Sequence, residues 1–124
     1  MPKIERFEDI QAWHKARELN LQIYDLTNSS RFAKDFSLRD QLRRASVSIM
    51  ANIAEGFGRK SQKEFANFLN MAHGSAAEVQ CHLYVALDQN YISQEEFRGA
   101  YNKVEEVSKM IQGFMKYLVK EWKS

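Results

Sequence analysis

Residues 41–58, QLRRASVSIMANIAEGFG, read as a helix that is apolar on two opposite faces. At roughly 100° per residue, Leu38, Leu42, Ala45, Ile49, Ile53 and Gly56 form one stripe, and Val47, Met50, Ala51 and Ala54 lie near the far side. A surface helix of a small solitary bundle needs one apolar stripe to face its core. The second face therefore calls for a partner. In a chain of 124 residues the partner expected is another copy of the same chain.

That length predicts a single domain, 1–124, able to bury about two-thirds of its unfolded surface. Hydrophobic residues at 44% and charged residues at 27% put the chain among soluble globular proteins rather than disordered ones. Cys81 stands alone, so it can form no intramolecular disulfide and has no second thiol for a zinc cluster; a reducing compartment is expected. The opening residues MPKIERFEDI carry charge where a signal peptide needs an apolar run, and no apolar segment approaches the ~20 residues of a membrane span. The expected location is the cytoplasm, with no membrane partner.

Hydrophobic periodicity predicts four helices, near 8–28, 37–56, 62–89 and 94–122. The first is expected to begin at Glu8 or Asp9, with one stripe of Ala12, Ala16, Leu19, Ile23 and Leu26 and another of Ile10, Trp13, Leu21 and Tyr24. Asn28, Ser29 and Ser30 break the pattern, and the segment to Phe36 reads as a connection. Ser37 is the expected cap of the second helix, and Gly56-Phe57-Gly58 its end, through two residues tolerant of the left-handed conformation.

Ser61-Gln62-Lys63-Glu64 is a capping box ahead of the third helix. One face of that helix carries Phe65, Phe68, Leu69, Ala72, Ala76, Val79, Leu83, Ala86 and Leu87; Gly74, Ala77, Cys81 and Val85 lie opposite, small enough for a second backbone to approach. A glycine inside a helix costs about 1 kcal/mol relative to alanine, so Gly74 calls for a packing reason. Asn90 is the expected C-cap, and Ser93-Gln94-Glu95-Glu96 a second capping box. The last helix is one-sided, its stripe running from Phe97 through Ala100, Tyr101, Val104, Val107, Ile111, Phe114, Met115 and Leu118 to Trp122. Short turns between long helices favour antiparallel neighbours, which predicts an all-α, up-down-up-down four-helix bundle.

The segments Phe7-x-Asp9-Ile10-x-Ala12-Trp13-x-Lys15-Ala16, QLRRASVSI from Gln41, NIAEGFGR from Asn52, and Phe65, Phe68-Leu69, Ala72-His73-Gly74-Ser75 and Glu78 follow one another along the chain. Together they resemble the family of 23S ribosomal RNA intervening-sequence proteins, also labelled S23. The family's usual proline-containing turn after the first helix is replaced here by Ser30-Arg31-Phe32-Ala33. The resemblance implies a small cytosolic bacterial bundle, and likeness to the accessory variability determinant proteins of diversity-generating retroelements, five-fold barrels that bind nucleic acid and a reverse transcriptase. It thereby implies a homopentamer. Fold alone does not fix activity.

Net charge is only +2, but residues 31–63 hold eight cations against three carboxylates, +5, leaving −3 for the remainder. Within that stretch Arg39, Arg43, Arg44, Arg59, Lys60 and Lys63 are the candidates for contacting RNA or a nucleoprotein partner, because guanidinium and ammonium groups pair with phosphate oxygens. Arg43 also lies beside the Val47 and Met50 face, where it could serve a subunit contact. Val47, Met50, Ala54, Gly74, Ala77 and Cys81 are the candidates for an oligomer interface. Ser48, Asn52 and Glu55 share one edge of the second helix, and with Ser75 and Glu78 they are expected to form a polar network that fixes helix register.

No catalytic constellation is visible. Glu55 has no nucleophile near it in the pattern, and Cys81 among small apolar positions reads as a buried inert thiol. Glu78 and His82 are four apart, and the two Glu-x-x-His motifs of a di-iron bundle are missing, so no metal or other cofactor is expected. Trp13, Tyr24, Tyr84 and Tyr91 could stack on bases, yet aromatic residues at helical spacing are more often core or interface. The expected function is a non-enzymatic oligomeric scaffold whose basic surface binds structured RNA. The alternatives are a protein-interaction module without nucleic acid and, more remotely, a small-molecule site in a cleft between subunits.

Overall fold

The computed structural model describes residues 3–123, and among them there is no strand. A single 3₁₀ turn, Phe7–Asp9, leads into α1 (Gln11–Thr27), the five-residue α2 (Ser30–Lys34), α3 (Phe36–Phe57), α4 (Gln62–Asp88) and α5 (Gln94–Lys123). The long helices α1, α3, α4 and α5 pack in that order around one core, and α5 closes the ring against α1.

Side-chain pairs give the register of each seam: Asn20 with Ser46, Ser48 with Ser75, Gln80 with Glu105, and Glu18 with Lys103. Every seam is antiparallel, the up-down-up-down arrangement that the periodicity predicts. Leu19, Ile23, Leu42, Ile49, Ile53, Leu69, Leu83 and Ile111 are among the largest fully buried side chains, each worth about 1.5–3 kcal/mol of burial. The first stripes of α1 and α3 are buried throughout, Ala12 to Leu26 and Leu38 to Gly56. On α4, Phe68 and Leu87 are only half-buried. The side chain of Trp122, at the end of the α5 stripe, lies outside the described residues.

The helix ends depart from expectation in ways that local chemistry explains. α1 begins at Gln11 rather than Glu8, because Asp9 turns its carboxylate back to accept the backbone N–H groups of Glu5 (3.1 Å) and Arg6 (3.3 Å) and closes a separate turn first. The connection before α3 contains α2, which buries Phe32 completely. Asp35, not Ser37, caps α3: its Oδ1 accepts the N–H of Leu38 at 3.1 Å, while Ser37 Oγ accepts the side-chain amide of Gln41. Of the two capping boxes, Ser93–Glu96 is reciprocal. At Ser61 the hydroxyl accepts the N–H of Glu64 and donates to the Glu64 carboxylate, so only half of that box forms.

Gly56 and Gly58 are not left-handed; no glycine has positive φ, and Gly58 sits at φ −74°. Gly56 is required for another reason. A Cβ there would lie 2.6 Å from Phe68 Cβ and 2.8 Å from Phe65 Cδ1, so the absent side chain is what lets α3 and α4 converge. The left-handed residue is Asn90 (φ 60°), one position beyond the α4 cap Gln89. Tyr91 N–H reaches Ala86 O and Asn90 N–H reaches Leu87 O, a Schellman closure that turns the chain into α5.

Candidate functional site

The basic segment of the sequence is divided by the fold. Arg39 lies near the start of α3 and Arg59 just past its C-cap, Gly58, about 30 Å away at the α-helical rise, so the cations gather at opposite ends of the helix. Near the α2 end they are engaged internally. Arg43 Nε donates to Thr27 Oγ1 (2.8 Å), a second guanidinium nitrogen donates to Asn28 Oδ1 (2.9 Å), and the group lies 4.5 Å from the centre of the Tyr24 ring. Thr27 itself is buried and donates to Ile23 O, so Arg43 satisfies the hydroxyl that ends α1. Arg39 pairs with Asp40 at 3.0 Å, donates to Ala33 O at 3.2 Å and covers Phe36. Arg44 is exposed.

At the far end Arg59, Lys60 and Lys63 are all exposed, and only Arg59 has a carboxylate partner among the described residues, Glu55 at 2.9 Å. Lys60 and Arg59 line a cleft of about 520 Å³ together with Lys3, Ile4, Phe57, Ser61, Gln62, Phe65, Phe114, Tyr117 and Leu118. The N-terminal arm, the α3–α4 turn and α5 each supply one wall. Residues so far apart along the chain carry no shared periodic signal, so Lys3, Phe114 and Tyr117 could not be joined to the basic motif by spacing.

The expected polar network forms in part. Ser48 and Ser75 hydroxyls are 2.9 Å apart across the α3–α4 seam, and the Asn52 amide donates to Ser48 O (2.9 Å) and Oγ (3.0 Å). Glu55 and Glu78 are not members: they are exposed, and each meets a residue four positions later, Arg59 just past the end of α3 and His82 on α4. A carboxylate buried beside two hydroxyls would need compensating donors, and facing solvent avoids that cost.

Two faces of apolar and small residues lie outside the core. Leu21 (66% exposed) and Tyr24 lie on the outer side of α1. Tyr24 shares a shallow depression with Arg43, Arg44, Asp40, Ser48 and Val47 (41% exposed) of α3. Ala51 is exposed and Met50 and Ala54 are half-buried; Ile10, expected on the same side, is instead fully buried. The second face is the outer side of α4, where Gly74, Ala77, Cys81 and Val85 are all exposed. Cys81 is thus an exposed thiol, not a buried one. Nothing lies within 4 Å of a Cβ built on Gly74, so its packing reason is not found inside this chain. Met71 (48% exposed) is a further outward apolar residue that the stripes did not single out.

The aromatic candidates are occupied by neighbours. Trp13 packs edge-on against Phe7, Tyr84 lies against Phe97 and Tyr101, and Tyr91 stacks near Phe32 while donating to Asp35 Oδ2 at 3.0 Å. That hydrogen bond to a carboxylate, then partial burial, raises the Tyr91 hydroxyl above its ordinary value. Tyr101 is raised chiefly by burial. Glu18 is lowered, first by its hydrogen bond and charge pairing with Lys103 and then by Lys15. Among the described residues, no three His, Cys, Asp or Glu side chains are grouped to hold a metal, and no helix is long and apolar enough to cross a membrane.

A protein of unknown function from the S23 ribosomal protein family of Bacteroides thetaiotaomicron VPI-5482 has a similar crystal structure. The two share 28% identity with a TM-score of 0.77, over 85% of this chain and 98% of that one. No curated protein matches the chain. A sequence model of the 23S rRNA-intervening sequence proteins matches residues 8–113, which span α1, α3, α4 and most of α5. The helical bundle and the sequence match agree, and the chain belongs to the 23S rRNA-intervening sequence protein family.

Proposed function

We propose that the protein is a non-enzymatic scaffold that assembles with copies of itself and presents a repeated basic surface to RNA or a nucleoprotein. The observation that carries the reading is the pair of unlike outer faces, Leu21, Tyr24 and Val47 on α1 and α3, and Gly74, Ala77, Cys81 and Val85 on α4. Because the faces differ and lie on different helices, one face of a copy can meet the other face of the next. A heterologous contact of that kind closes into a ring when the rotation permits, and a ring of five is the stoichiometry that likeness to the retroelement barrels implies. Repetition multiplies the charge of Arg44, Arg59, Lys60 and Lys63, so several weak phosphate contacts act together. Glu55 supports a non-catalytic reading, since it is exposed and paired with Arg59.

Light scattering tests the assembly. A native mass several times that of the 14.5 kDa chain is expected, and Val47→Lys should lower it towards the monomer by placing an unpaired charge at the contact. A wild-type protein that stays monomeric on concentration refutes the reading. A second reading, a protein-interaction module without nucleic acid, draws support from Arg39 and Arg43, whose hydrogen bonds within the chain occupy donors that phosphate would need. Co-purification after nuclease digestion separates the two: a partner retained after digestion favours the second.

A further inference from the structure

We propose that the cleft at the Arg59 end of the bundle holds an unpaired segment of RNA, with backbone phosphates on Lys3, Arg59 and Lys60 and a base against Tyr117. The inference deepens the RNA reading above and rests on it. Three cations and no carboxylate are among the residues that line this cleft. Two other clefts with cations also contain acids, Glu8 and Asp9 beside Lys3 in one and Asp40 beside Arg43 and Arg44 in the other; a third, on α5, holds Lys116 and Lys120 without an acid but is lined by no aromatic ring. Glu5 and Glu55, outside the lining, pair with Lys3 at 3.8 Å and Arg59 at 2.9 Å, so Lys60 is the cation of this cleft with no carboxylate partner among the described residues.

The walls are aromatic. Phe65 is buried, Phe57 and Phe114 are half-buried, and Tyr117 is 39% exposed with its ring edge-on to Phe114 at 6.2 Å. Cations that track a phosphate backbone, beside an exposed ring on which a base can stack, are the combination that single-stranded nucleic acid requires. A duplex hides its base faces and leaves no base free to stack on the ring. A volume of about 520 Å³ lies within the size range of small-ligand sites. The exposed charges continue past the cleft, through Lys63 in the first turn of α4 and Lys120 three residues beyond Tyr117 on α5, which suits a strand that runs on rather than a free nucleotide.

The test is fluorescence anisotropy of the full chain with a labelled short oligouridylate at low, fixed salt. Unlabelled competitors are a duplex of equal length, adenosine monophosphate, inorganic polyphosphate and polyglutamate. Tyr117→Ala should weaken oligouridylate binding about tenfold and leave polyphosphate binding unchanged, with Tyr117→Phe restoring the affinity. Lys60→Glu should weaken both ligands and flatten the salt dependence by about one contact. If RNA binds but Tyr117→Ala leaves the affinity intact, the cleft assignment fails while the broader RNA reading stands. If wild-type protein binds no RNA at low salt, both fail. Preference for the duplex, or competition by adenosine monophosphate or polyglutamate as strong as that by the oligonucleotide, also overturns the assignment.

Discussion

The two ends of the bundle are closed by different physics, and the difference decides what their cations can do. At the α2 end, polar groups from distant parts of the chain meet: Tyr91 donates to Asp35, Arg43 bridges Thr27 and Asn28, and Arg39 reaches Ala33 O. The guanidinium groups complete that closure. At the Gly56 end the helices converge by apolar packing, with the glycine against Phe65 and Phe68 and the Phe57 and Phe65 rings edge to face. Packing needs no cations, so Lys60 and Lys63 remain directed to solvent. Cations that look alike along a sequence are therefore unequal as ligands for phosphate.

The largest effect is expected at the packed end. Gly56→Ala gains about 1 kcal/mol of helix propensity, but its Cβ meets Phe68 Cβ, which cannot rotate away. Overpacking costs about 1–3 kcal/mol, and a 2.6 Å approach between two Cβ atoms belongs at the upper end of that range, so it should win, read as a lower denaturation midpoint. An unchanged or higher midpoint would mean that the convergence of α3 and α4 tolerates a side chain after all. Next comes a paired comparison of the ends. Arg43→Ala should destabilise the fold by about 1–2 kcal/mol by removing charged hydrogen bonds from Thr27 and Asn28, with little effect on RNA affinity. Lys60→Ala should stay within about 0.5 kcal/mol of wild type in stability and lower RNA affinity. Equal losses of affinity from both variants would erase the distinction.

The smallest effects are in the pH dependence of melting. Glu18, lowered chiefly by Lys103, contributes stability above the ordinary carboxylate value of 4.5 that is lost as pH falls through its lower folded value. Tyr91, raised chiefly by its bond to Asp35, contributes stability that is full at neutral pH and lost as pH rises beyond 10.0. Glu18→Gln should flatten the acid limb alone and Tyr91→Phe the alkaline limb alone. Because both groups are near the surface, solvent screening keeps each change modest.

The core of α3 could be read directly from Leu38, Leu42, Ala45, Ile49, Ile53 and Gly56, because burial along a helix repeats with the helical turn. Helix ends were read less well where two local solutions compete. Asp35 and Ser37 are both capping residues, and Asp35 serves because its second oxygen also receives Tyr91 from the α4–α5 turn. The Ser48–Ser75 pair was visible as facing polar edges, whereas the outward turn of Glu55 depends on Arg59 one helical turn later. Tyr117 and Lys3 had no signal that tied them to Lys60.

Periodicity and capping chemistry alone determined four long antiparallel helices, their buried stripes and a surplus of apolar and small residues on α3 and α4. These follow from interactions within a few residues, which repeat along the chain and leave a pattern in it. Only the tertiary structure decided that one basic segment becomes two distant ends, that Arg39 and Arg43 are held inside the fold, and that Lys60 shares a cleft with Tyr117. Those outcomes depend on which helices become neighbours and at what register, and no local repeat records a distance across the bundle.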